Sequence, residues 1–117
     1  MKLTAEEVAE FEDEGYLFFP NKFSSAEAKV LKNAAGDVYA MDREEVWRES
    51  SGVARTAFAA HTYNEAFMRL GCHPRLIGPV CQLLDGQVYI HQYKVNAKAA
   101  FSLKKFLCCF QIQDDIT

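Results

Sequence analysis

Four polar side chains recur at alternate positions late in the sequence: Gln92, Lys94, Asn96 and Lys98. In an extended chain these positions share one face, because successive side chains of a strand point to opposite sides. The row reads amide, ammonium, amide, ammonium. Tyr89, His91, Tyr93, Val95 and Ala97 fall on the other, mostly apolar face. Two readings stand. One is a half-solvated strand whose polar side meets water. The other is a strand lining a polar cavity, where a lysine neutralises a carboxylate and the amides orient it.

Other chemistry is easier to exclude. A mononuclear iron site of the two-His-one-carboxylate type needs H-x-D/E on one strand face and a distant histidine. His61, His73 and His91 are followed two residues on by Tyr63, Arg75 and Tyr93, so none carries the carboxylate. His73 reads as a helix-start residue before Pro74, His61 as a surface or loop residue, and His91 as packed against a helical layer. Cys72, Cys81, Cys108 and Cys109 lack the close pairing of a zinc site, and on a strand the last two would point apart. Cys72-His73 are sequence neighbours, which rarely makes a nucleophile–base pair. Neither a dinucleotide fingerprint, a phosphate loop nor a G-x-S-x-G elbow is present.

The elements that must hold these groups can be read from caps and periodicity. Thr4 with Glu7, and Ser24 with Glu27, are capping boxes. The first opens a short helix that Gly15 ends; the second opens a helix from Ser25 to about Met41, with Val30, Leu31, Ala34, Ala35 and Val38 at helical spacing. Tyr16 to Pro20 reads as an aromatic strand. Residues 42–53 read as loop or frayed helix, and residues 54–62 are ambiguous. Asn64 caps a short helix that ends at Gly71. Pro74 begins another, with Leu76, Ile77, Val80, Leu83 and Leu84 on one face, which Gly78-Pro79 should kink or delay and Asp85-Gly86 should close. Residues 87–96 and 103–112 read as strands. The order predicts an α+β fold.

The chain has 117 residues and a formal charge of −3, from 13 basic and 16 acidic side chains. That is one domain at most, of globular composition. Slight acidity argues against a nucleic-acid surface. No apolar run is long enough to span a membrane. Six acids crowd the first 15 residues with no apolar stretch among them, unlike a secretory signal. The expectation is a cytoplasmic protein with reduced thiols, although organelle targeting stays open.

Several of these stretches together resemble a known family. Phe11-x-x-x-Gly15-Tyr16-Leu17 followed by Phe23-Ser24, then His73-Pro74-Arg75-Leu76, Leu83-Leu84-Asp85-Gly86 and above all His91-Gln92-x-x-x-Asn96-x-Lys98, are similar to the phytanoyl-CoA dioxygenase family, which includes ectoine-hydroxylase-like enzymes. The resemblance implies a double-stranded β-helix, or jelly roll, and Fe(II)- and 2-oxoglutarate-dependent hydroxylation of a small-molecule substrate. It implies that Lys98 contacts 2-oxoglutarate and that Gln92 and Asn96 line the pocket. The family's His-x-Asp ligands are expected soon after Phe101. Here Ile112-Gln113-Asp114 stands in their place, so no catalytic residue is assigned and Asp114 is a remnant metal candidate only. The expectation is an incomplete jelly-roll sheet under N-terminal helices: residues 1–102 as the N-terminal part of an oxygenase domain, and residues 103–117 as a divergent tail. Such a truncated chain would be inactive, bind neither iron nor 2-oxoglutarate tightly, and self-associate through exposed strand edges. The alternative is a non-catalytic α+β interaction module, or a regulatory isoform that pairs with a full-length oxygenase.

Overall fold

A computed structural model describes residues 2–98. Both capping boxes form. Thr4 caps α1 (Ala5–Glu14), and Gly15 takes the left-handed conformation at its end, φ 81°. Ser24 caps α2 (Ser25–Tyr39). Such reciprocal side-chain to backbone bonds satisfy two of the amide donors that a helix start leaves open. The aromatic run between these helices is not a strand. Leu17 and Phe19 turn inward while Tyr16 and Phe18 are exposed, as in a strand, but no neighbour among the described residues pairs with them. The chain then turns at Asn21, φ 60°.

After α2 come two short strands, β1 (Val46–Arg48) and β2 (Ala54–Phe58). β1 falls within residues 42–53, read as loop or frayed helix, and corrects that reading for its three residues, while β2 and the turn after it resolve the ambiguity of 54–62. A 3-10 turn (Ala60–Thr62) leads to α3 (Glu65–Gly71), capped by Asn64. α4 (Pro74–Leu84) starts with proline at its first turn under a His73 cap, so Gly78-Pro79 does not delay it. Asp85 takes the left-handed position, φ 52°, that ends α4.

The last described strand is β3 (Lys94–Asn96). The three strands form an antiparallel sheet ordered β1-β2-β3, with Ala57 opposite both Val46 and Val95, and Thr56 opposite both Trp47 and Asn96. The expected strand over 87–96 is therefore shortened to its last three residues. The reason lies in its partner. β2 ends at Phe58, Ala59 takes a positive φ of 53°, and the chain leaves the sheet. Residues before Tyr93 have no strand to pair with among the described residues.

One face of the sheet packs on the helices. Val46, Ala57 and Tyr93 join Ala34 and Val38 of α2 and Phe67 of α3 in a small core. Tyr93 enters it ring first: its hydroxyl donates to the Phe67 carbonyl at 3.0 Å, and its own carbonyl accepts from Ala59 N–H at 2.8 Å. Arg75 ties the start of α4 to that of α2, bonding the Glu27 carboxylate and the Lys22 carbonyl and lying over the Phe23 ring. The expected strand at 103–112 and the divergent tail lie outside the described residues.

Candidate functional site: the open face of the sheet

Strand alternation puts Val46, Ala57 and Val95 toward the helices, so Trp47, Thr56, Phe58, Lys94 and Asn96 share the opposite face. Trp47 and Phe58 meet edge to face, with ring centroids 4.8 Å apart. The Lys94 ammonium sits 5.5 Å from the centre of the Phe58 ring. Beside this pair, the Thr56 hydroxyl donates to Asn96 Oδ1 at 3.0 Å. Ala97 N–H donates to the Arg55 carbonyl, which continues the pairing one residue past β3. Lys98 follows and is exposed. The surface thus combines an aromatic wall with amide and ammonium donors, the side-chain chemistry that holds a carboxylate against an apolar stem.

Gln92 is placed elsewhere. It is exposed, lies outside β3, and lines a groove of about 470 Å³ between α4 and residues 88–92. Leu76, Ile77 and Val80 form one wall, with Val88, Tyr89 and Ile90 facing them. Sequence alternation put Gln92, Asn96 and Lys98 on one face. The irregular backbone before β3 interrupts that alternation, and Asn96 and Lys98 do not line the groove. Trp47, Thr56 and Phe58 were not singled out by the sequence. Thr56 and Phe58 lie on a five-residue strand with weak alternation and Trp47 on a three-residue one, and Thr56 meets Asn96 across 40 residues.

The histidines lie apart. His73 uses Nδ1 to accept the Arg75 N–H at 3.1 Å as the cap of α4, as its place before Pro74 predicts. His61 is half-buried rather than a surface residue: it stacks on Tyr93 at 4.7 Å, and its Nδ1 is buried without a hydrogen bond. His91, expected against the helices, is exposed, because the chain around it is not a strand held on the sheet. No three His, Cys, Asp or Glu side chains converge among the described residues. These side chains do not fit an iron ion. The donors of the open face do fit a carboxylate.

Two charge-bearing contacts are well defined. Arg75 holds the Glu27 carboxyl down to about 2, helped by the Ser24 backbone N–H. Burial pushes the Tyr93 phenol up to about 12, with the nearby Cys72 charge adding to it.

No protein-family model matches the chain. Individual relatives do. The ectoine dioxygenase of Stutzerimonas stutzeri is 34% identical over 109 residues, covering 89% of this chain and 36% of the relative. The chain is similar to ectoine dioxygenases. The structure of EctD from S. alaskensis with bound Fe superposes with a TM-score of 0.73 at 32% identity, over 80% of this chain and 35% of that one. Its form with 2-oxoglutarate and 5-hydroxyectoine gives 0.72 at 30% identity. The L-proline trans-4-hydroxylase of Streptomyces griseoviridis is 34% identical over 88 residues. The chain spans about a third of the length of the curated relatives it matches. The likeness to ectoine dioxygenases supports, at a coarse level, the resemblance read from the sequence, and the helices and small antiparallel sheet follow EctD. No helix among the described residues is long and apolar enough to cross a membrane.

Proposed function

We propose that this chain is part of an Fe(II)- and 2-oxoglutarate-dependent dioxygenase of the phytanoyl-CoA dioxygenase family, and that its described residues furnish a carboxylate-binding sheet face. The jelly roll is incomplete over these residues. The observation that carries the reading is the open face: Asn96 and Lys94, with Lys98 after them, lie on or follow the side of the sheet that the helices leave uncovered. An amide and ammonium groups there bind an acceptor-only ligand, and the Trp47–Phe58 pair packs against its carbon chain. When bound with a metal in such enzymes, 2-oxoglutarate supplies the electrons for oxygen activation. This chain's described residues bind and orient the dicarboxylate and hold no metal. Hydroxylase activity belongs to an assembly that supplies the iron ligands.

The test is titration of the 117-residue chain with 2-oxoglutarate, followed by calorimetry and by amide NMR. Binding is expected at the open face, weakened about tenfold by Lys98→Ala or Asn96→Ala, the worth of one hydrogen bond to a charged group. Perturbations confined to the α4 groove would overturn the reading. Stoichiometric Fe(II) uptake with succinate release by this chain alone would overturn the assignment of iron to other residues.

A further inference from the structure

Thr56 is the one buried polar residue among the described residues, 8% exposed although it lies on the open face, and its hydroxyl lies 3.0 Å from Asn96 Oδ1 on the neighbouring strand. We infer that Thr56 is the positioning residue of the carboxylate site: its hydroxyl holds the Asn96 amide with the oxygen turned inward and both Nδ2 hydrogens turned to the ligand. The inference rests on the carboxylate reading of the open face. A primary amide has an acceptor end and a donor end, and turning it over exchanges them. With Oδ1 outward, Asn96 would present lone pairs to a carboxylate and repel it. With Nδ2 outward it presents two donors.

What selects between these states is the hydroxyl proton. Asn96 Oδ1 is the acceptor the structure gives it. Were the amide turned over, Nδ2 would donate to the Thr56 oxygen, and the hydroxyl proton would be buried without an acceptor, which is unfavourable. The register makes the pairing local and rigid. Thr56 stands directly opposite Asn96 on one side and Trp47 on the other, and Ala97 N–H to the Arg55 carbonyl fixes the strand next to it. Nothing about residues 53–59 announced this role in the sequence. It also sets a selectivity: the site takes acceptor-only groups, a carboxylate before an amide or an amine of the same shape.

The experiment compares Thr56→Val, which keeps the shape and removes the hydroxyl, with Thr56→Ser, which keeps the hydroxyl. Both are made in the 117-residue chain, and the Asn96 side-chain amide is assigned by its loss in Asn96→Ala. In the native chain and in Thr56→Ser, the Asn96 Nδ2 group is expected to be as rigid as the backbone, with equal 2-oxoglutarate affinity. In Thr56→Val, that group becomes mobile and affinity falls about tenfold, the worth of one hydrogen bond to a charged group. A Thr56→Val chain that is folded, binds as tightly as the native one and keeps a rigid amide overturns the inference. If the native chain binds no 2-oxoglutarate, the carboxylate reading fails, and Thr56 is judged on the amide alone: mobility on losing the hydroxyl supports the orientation, unchanged rigidity refutes it. If Thr56→Val does not fold, the native Thr56 hydroxyl proton decides. Slow exchange with water supports the bond to Asn96, and exchange as fast as in a free threonine overturns it.

Discussion

Individual residues in this chain are held by bonds whose strength depends on charge state, and pH separates them. Glu27 is both the N3 member of a capping box and the partner of Arg75. Its carboxyl is lowered from 4.5 to about 2, chiefly by the Arg75 guanidinium. A depressed carboxylate contributes stability that is complete above about pH 4.5 and disappears as pH falls toward 2. Glu27→Gln keeps the cap and removes the charge, so it should lower Tm at pH 7 and match the native chain by pH 2. Thermal melts at a series of pH values check this, and a gap that persists at pH 2 would show that the cap was lost instead. Tyr93 behaves oppositely. Its phenol, pushed up to about 12 by burial, contributes stability that is complete below about pH 10 and lost as pH rises toward 12. Tyr93→Phe should cost about 1 kcal/mol at pH 8, the net worth of its bond to the Phe67 carbonyl. Urea melts should show that difference narrowing by pH 11.

At the scale of elements, what could be read in advance was what is local. Thr4, Ser24 and Asn64 each mark a helix start through a bond reaching three residues, Pro74 marks one through its fixed φ, and all four starts stand in the structure. Strands were misread because a strand is decided by its neighbour. Tyr16 to Pro20 has the composition and even the alternation of a strand but no partner among the described residues, whereas Val46–Arg48 is too short a run among charged neighbours to read as a strand and pairs because β2 lies beside it. The proposed site divides the same way: that Lys94 and Asn96 share a face was legible from alternation, while Thr56 joins them only through a pairing across 40 residues. Gly71 marks another non-local constraint. A Cβ there would lie 3.1 Å from both Ile90 Cδ1 and Tyr93 Cε2. Ile90 is at the surface and can move; Tyr93 is held by its hydroxyl and its carbonyl. Alanine gains up to about 1 kcal/mol of helix propensity, but displacing a fixed ring in a packed core costs about 1–3 kcal/mol. Gly71→Ala should therefore lower stability, read by urea denaturation, and Tyr93→Phe should relieve part of the loss by freeing the ring. A rise in stability would mean that residues 90–93 can retreat from α3.

For the whole molecule, the described residues leave two surfaces uncovered, and they differ in what they invite. The sheet ends in two short edge strands, and each carries a cation, Arg48 on β1 and Lys94 on β3. Charged side chains on short edges discourage strand-to-strand pairing. The α4 groove has no such protection: none of its lining residues is Lys, Arg, Asp or Glu, and Tyr89 at its rim is 61% exposed. Self-association at high concentration is therefore expected through the groove rather than through the strand edges. The sole tryptophan distinguishes the two, because Trp47 lies on the sheet and not in the groove. Sedimentation across a hundredfold concentration range should show reversible association with unchanged Trp47 emission. Ile90→Lys should suppress it, by placing a charge where the partner's apolar surface would have to desolvate it. A blue shift of Trp47 on association, with Ile90→Lys associating as the native chain does, would place the contact on the sheet face. In that case 2-oxoglutarate and a second copy would compete for the same surface, and added ligand would dissociate the oligomer.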